Sequence, residues 1–150
     1  MSLRYPAILT LFGLLAVCIP APLNADDKKP VEADYYKILT FEPPADIVLE
    51  VGALEWMPDG KLAVSTRRGE IYMVTNPYSA DPAKASKFVR FAHGLHEVLG
   101  LAYRDGWLYV TQRCELSRIK DSDGDGVADR FETVTDAWEI NGDYHEYAFG

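Results

Sequence analysis

The chain has 150 residues, 48% of them hydrophobic, with 15 basic and 23 acidic side chains and a net charge of -8. No basic patch interrupts that balance, which excludes nucleic acid as a partner. Two cysteines, Cys18 and Cys114, are too few for a disulfide framework or for a structural zinc site built on paired cysteines.

The first 25 residues read as a secretory signal. Arg4 supplies the positive start, and "AILTLFGLLAVCI" (Ala7 to Ile19) is an apolar run of 13 residues ended by Pro20 and Pro22. A spanning helix needs about 17–25, so the run fits an exported leader cleaved after Ala25. A lipid anchor on Cys18, which would tie the protein to a membrane, ranks second because the bulky Val17 precedes it. Localisation is therefore expected outside the cytoplasm, periplasmic or on the outer surface. A polar linker, residues 26–34, follows.

From residue 35 the rhythm is that of short strands. Ile47 to Val51 reads as a strand, "PDG" (Pro58 to Gly60) as a turn, and Lys61 to Arg67 and Glu70 to Thr75 as the next two strands. β-Branched and aromatic enrichment at this spacing argues against helix. A loop, "NPYSADPAKAS", leads to a strand at Lys87 to Ala92. The pattern then recurs. Asp59-Gly60 falls on Asp105-Gly106, Leu62-Ala63-Val64 on Leu108-Tyr109-Val110, Arg67 on Arg113, and Glu70-Ile71 on Glu115-Leu116, with one turn a residue shorter in the second copy. A period of about 45 built from strands and tight turns suits propeller blades, each a sheet that cannot bury both faces alone. The alternative is a small β-sandwich with two similar hairpins. The expected fold is all-β: a partial β-propeller with four-stranded blades, residues 35–150 being the N-terminal portion of a larger domain. Cys114 is expected to be a small buried hydrophobe, and Trp56, Trp107 and Trp138 to serve packing.

The acidic excess is local. "DSDGDGVADRFE" matches a twelve-residue calcium loop, with Asp121, Asp123, Asp125, Val127, Asp129 and Glu132 at positions 1, 3, 5, 7, 9 and 12 and Gly126 at position 6. Calcium takes six to eight oxygens at flexible distances. Alternate aspartates wrap one side of the ion, Val127 offers its carbonyl, Asp129 acts directly or through water, and Glu132 closes the far side. The segment before the loop is strand-like, so the loop is read as an insertion between strands with a structural role. "RFETVTDAWE" after it is read as a short helix.

Three histidines, His93, His96 and His145, lie in loop-rich stretches without metallopeptidase spacing. Each is a surface residue or a base facing a ligand. Arg113, and Arg67 at the same repeat position, stand at strand ends, where a guanidinium either meets solvent or points into a substrate channel.

"LEWMPDGKLAVSTRRGEIYMV", "GLHEVLGLAYRDGWLYVTQRCEL" and "DSDGDGVADRFETV" together resemble the N-terminal part of exported bacterial proteins described as membrane-bound or sorbosone-type dehydrogenase-like propellers. These are similar to the pyrroloquinoline-quinone glucose and sorbosone dehydrogenase superfamily. The resemblance runs from about Tyr35 to Gly150. It implies oxidation of a sugar or alcohol with pyrroloquinoline quinone as cofactor, and passage of electrons to a cytochrome, with haem c in a missing C-terminal domain. It places the catalytic base on His145 and puts His96, beside the "VLGLA" segment, near the cofactor; Arg113, from its strand-end position, is read as orienting substrate. Tyr144 precedes His145 where an acidic residue is expected. The alternative is a non-catalytic, calcium-stabilised propeller that binds carbohydrate or protein.

Overall fold

The computed structural model of the chain describes residues 29–139 and 147–150. The leader with Cys18, and also His145, lie outside the described residues. The described residues divide after Tyr36 into two separate units. The described part of the first contains one helical turn, α1 (Glu32–Tyr35), where the sequence reading expected linker. Among the described residues no helix is long and apolar enough to cross a membrane.

The second unit is mostly β. Strands β1 (Val51–Trp56), β2 (Leu62–Thr66), β3 (Ile71–Thr75) and β4 (Lys87–Ala92) form one antiparallel meander, with the short helix α2 (Pro82–Ala85) between β3 and β4. Strands β5 (Gly100–Arg104), β6 (Trp107–Thr111), β7 (Leu116–Lys120) and β8 (Arg130–Thr135) form a second, in the same order. β1 lies alongside β5. The all-β class follows from the observed sheets, and the internal repeat coincides with them.

Two sequence expectations are corrected. The stretch read as a strand at Ile47 to Val51 is not one; β1 begins at Val51. The physical reason is local. Ile47 N–H closes a turn onto the Pro44 carbonyl at 2.9 Å, and Glu50 sits at φ 28°, so the backbone is not extended until Val51. The segment after the acidic loop is not a helix but β8, paired with β7 from Leu116–Thr135 to Lys120–Arg130. Its β-branched Thr133, Val134 and Thr135 favour a pleated surface, and a waiting antiparallel edge decides the matter.

Strand alternation assigns the faces. In the first sheet Ala63, Ile71, Met73 and Phe91 point towards the second sheet, whose Leu108, Val110 and Ile119 answer them. Val98, from the connection between the sheets, is fully buried, and each such side chain contributes about 1.5–3 kcal/mol. Close approach demands glycine at two points. A Cβ on Gly52 would stand 2.0 Å from the Val98 carbonyl oxygen. One on Gly69 would stand 1.9 Å from that of Leu95, and Gly69 also sits at φ +87°. Ser65 Oγ donates to the same Val98 carbonyl at 3.0 Å, stitching β2 to the connection.

The tryptophans, expected to serve packing, are not part of the buried core and take three different partners. Trp56 is 45% exposed and meets the Tyr78 ring at a tilt of 52°. Trp107 is ringed by Arg118, Lys120 and Arg130 at 4.4, 4.6 and 5.7 Å. Trp138 donates its indole N–H to the Arg113 carbonyl at 3.1 Å. Cys114, expected to be buried, is only half-buried; it occupies the tight turn between β6 and β7, with its sulfur 3.9 Å from His96 Nδ1.

Candidate functional site

The acidic loop joins β7 to β8, between strands as its sequence implies. Its fold is written in backbone donors. Gly124 and Gly126 N–H groups donate to the two Asp121 carboxylate oxygens at 2.6 and 2.8 Å, and both glycines are left-handed, at φ +83° and +92°. Only glycine adopts that geometry freely. Asp125 N–H donates to Asp123 and Val127 N–H to Asp125. These turns bring the ligand oxygens of Asp121, Asp123 and Asp125 within 4.8 Å of one another. The Gly126 and Gly124 N–H bonds hold the Asp121 carboxyl below its ordinary range. Asp129 accepts from the Ser122 backbone and hydroxyl, which lowers its pKa too.

Glu132 stands apart from the three aspartates. It lies in β8 and accepts from Arg118 Nε at 2.9 Å through one oxygen and from Arg130 at 3.1 Å through the other. Arg118 holds its pKa low. The donor set of the aspartates fits a hard cation, because three clustered carboxylates repel one another unless a cation sits among them. The loop also reaches the core. Ala128 is buried, and its N–H donates to the Phe91 carbonyl at 2.7 Å. One end of the acidic loop is thereby pinned to the last strand of the first sheet. Asp121 and Gly126 also border a cavity of about 430 Å³, floored by Met73, Phe91, Leu108 and Ile119.

A second cluster gathers where β2 and β6 end. Arg67 and Arg113, equivalent in the repeat, converge there on one carboxylate and one ring. Arg113 donates to Glu97 at 2.7 Å, and Arg67 Nε lies 3.7 Å from the other Glu97 oxygen. Both guanidinium carbons stand near the Tyr147 ring, at 5.0 and 5.8 Å, and Arg67 donates to the Tyr147 hydroxyl at 3.3 Å. The Arg113 hydrogen bond holds Glu97 ionised below its usual range, and Glu97 raises Arg113 in turn. Glu97 sits at φ 47°, a conformation a non-glycine residue adopts at a cost of about 1–3 kcal/mol. The frame beneath is polar. Arg113 N–H donates to the His96 carbonyl, His96 N–H donates to Gln112 Oε1 at 2.6 Å, and Gln112 donates on to buried Ser117. Arg113 Nε is buried with no hydrogen-bond partner among the described residues. Arg67, Leu99, Tyr147 and Phe149 line an adjoining cavity of about 220 Å³.

The sequence-level candidates thus separate. Arg113 and the His96 backbone belong to the strand-end cluster, while the His96 side chain is exposed. The aspartates form a different cluster in the β7–β8 connection. Tyr147 was missed as a site residue; nothing in its short flanking sequence marks it, and only the fold carries it over two arginines. No family model matches the chain, and no match is found among curated proteins or solved structures.

Proposed function

We propose that residues 37–150 are a calcium-stabilised, propeller-type module of an exported protein, of the sugar or alcohol dehydrogenase kind, with the strand-end cluster as its substrate-facing end. The observation that carries this reading is the convergence of repeat-equivalent Arg67 and Arg113 on Glu97 and Tyr147. In a propeller the same ends of successive blades share one face, and a repeat that delivers equivalent cations there builds a polar pocket floor.

Asp121, Asp123 and Asp125, with the Val127 carbonyl and Asp129 beside them, would hold calcium, and the ion's work there is to fix the connection. Pyrroloquinoline quinone, when bound, supplies a hydride acceptor for an alcohol carbon. This chain's own part is to orient oxygen atoms with Arg67 and Arg113 and to shield them with Tyr147 and Phe149; the proton falls to His145 in this reading. The second reading, a non-catalytic carbohydrate-binding module, uses the same pocket without turnover.

Dye-linked oxidation of sugars and alcohols, with quinone and calcium added, separates the two. The dehydrogenase reading expects turnover, lost by about tenfold or more in Arg113→Ala because an oriented charge is removed. Saturable sugar binding without turnover favours the binding module. Neither binding nor turnover by any sugar or alcohol would overturn both.

A further inference from the structure

The two sheets meet along β1 and β5. Away from that seam the acidic loop bridges them, where Ala128 N–H donates to the Phe91 carbonyl. Between seam and bridge lies the cavity of about 430 Å³ that Asp121 and Gly126 border. It sits at the opposite strand ends from the Arg67–Arg113 cluster, beside Lys61 and Lys120. Its walls all come from within this chain. Met57, Met73 and Val89 belong to the first sheet's side, and Tyr103, Leu108 and Ile119 to the second's.

A void of this size is not ordinary packing, because protein interiors leave few voids larger than a water molecule. Ligand pockets of about 300–1,000 Å³ combine apolar walls with a few polar groups, and this cavity is built that way. The walls also select the ligand. Met57 and Met73, the two methionines among the described residues, both line it. Methionine adapts to irregular apolar shapes and contacts aromatic rings favourably. The charged groups at the mouth are already engaged. Lys61 Nζ donates to Asp59 at 2.6 Å, Lys120 Nζ lies 4.6 Å from the Trp107 ring centre, and Asp121 accepts from Gly124 and Gly126. A charged ligand would compete with those partners, whereas a neutral one leaves them in place. Thr75 adds one hydroxyl to the lining. An apolar cavity of about 150 Å³ takes benzene, so this one has room for roughly two or three rings.

We infer that the inter-sheet cavity is a binding site for a neutral, mainly apolar ring compound, and that the aspartate loop is one of its walls, so that cation and ligand strengthen each other's binding. Both depend on the same loop position. Gly126 borders the cavity and carries an N–H that closes on Asp121. Phe91 lies on the floor and anchors the loop through its carbonyl. Such coupling is reciprocal by linkage. The coupling rests on the calcium reading above; the cavity does not.

Fluorescence titration with N-phenyl-1-naphthylamine, a neutral aromatic probe of matching size, tests this in calcium and in excess chelator. Wild type is expected to bind one probe per chain, about fivefold or more tighter in calcium. Val89, 49% exposed, stands at the mouth. Val89→Trp, and independently Thr75→Trp, should fill the site and weaken binding by about tenfold or more, with melting transitions retained. Leu54→Lys, on the outer face of the first sheet, should leave binding unchanged. An absence of saturable binding overturns the inference. So does binding that Leu54→Lys abolishes and Val89→Trp spares, which would put the probe on the outer face. Equal affinity in calcium and chelator overturns the coupling. If calcium still raises the melting midpoint, the calcium reading survives that result; if the melts coincide, the calcium reading falls with the coupling.

Discussion

The two sheets share one meander and one register, yet equivalent rows carry opposite chemistry. Ala63, Met73 and Val89 make an apolar row in the first sheet, and Tyr109, Arg118 and Glu132 an ionic one in the second. Ala63 and Met73 of the first row are buried against the second sheet, whereas Tyr109, Arg118 and Glu132 are only half-buried. Conversely, Leu108 is buried where its equivalent Leu62 is only half-buried and borders a groove. Backbone pattern sets what a sheet is; position in the stack sets what its side chains can afford to be. The loops differ as well. β3 reaches β4 through a short helix, whereas β7 reaches β8 through the aspartate loop, and only that loop sends a residue, Ala128, into the shared core.

The comparison breaks most visibly at the equivalent leucines. Leu108→Ala should cost about 2–5 kcal/mol, since it empties a packed position. Leu62→Ala should cost less than half as much in the isolated unit, because its side chain is only half-buried. Urea midpoints for the pair check this, and equal losses would mean that Leu62 is as tightly packed as Leu108.

A smaller effect separates the sheets by pH. Glu132 has a folded pKa below its ordinary 4.5, chiefly through Arg118. A depressed carboxylate contributes stability that is present above the unfolded pKa and lost as pH falls through the folded one. Glu97 and Asp121 share that sign. Urea midpoints should be flat from about pH 7 to 5 and decline below about 4.5. Glu132→Gln should flatten part of the decline, whereas Val89→Ala, at the equivalent place in the first sheet, should leave its shape alone. An unchanged slope in Glu132→Gln would detach the Arg118 pair from stability.

The strands, the repeat and the loop's place between strands were legible in sequence because alternation and Asp-Gly turns are local signals. What was not legible was non-local. β8 looked helical in isolation, and its pairing with β7 is what makes it a strand. Glu132 fits position twelve of a calcium pattern, but its cross-strand neighbour Arg118 engages it instead. Arg113 stood out at a strand end, while Glu97 and Tyr147, its partners, are brought to it by the connection between sheets and by the chain's last residues.

The calcium proposed for the aspartate loop would hold the two sheets together through the Ala128–Phe91 hydrogen bond. Thermal melts of the chain in calcium and in excess chelator test it directly. At free calcium near one hundred times its dissociation constant, binding only the folded state adds about 2.7 kcal/mol, which for a unit of this size raises the midpoint by on the order of 10 °C. That rise should vanish in Asp121→Asn combined with Asp123→Asn. Superimposable melts in calcium and chelator would contradict the account.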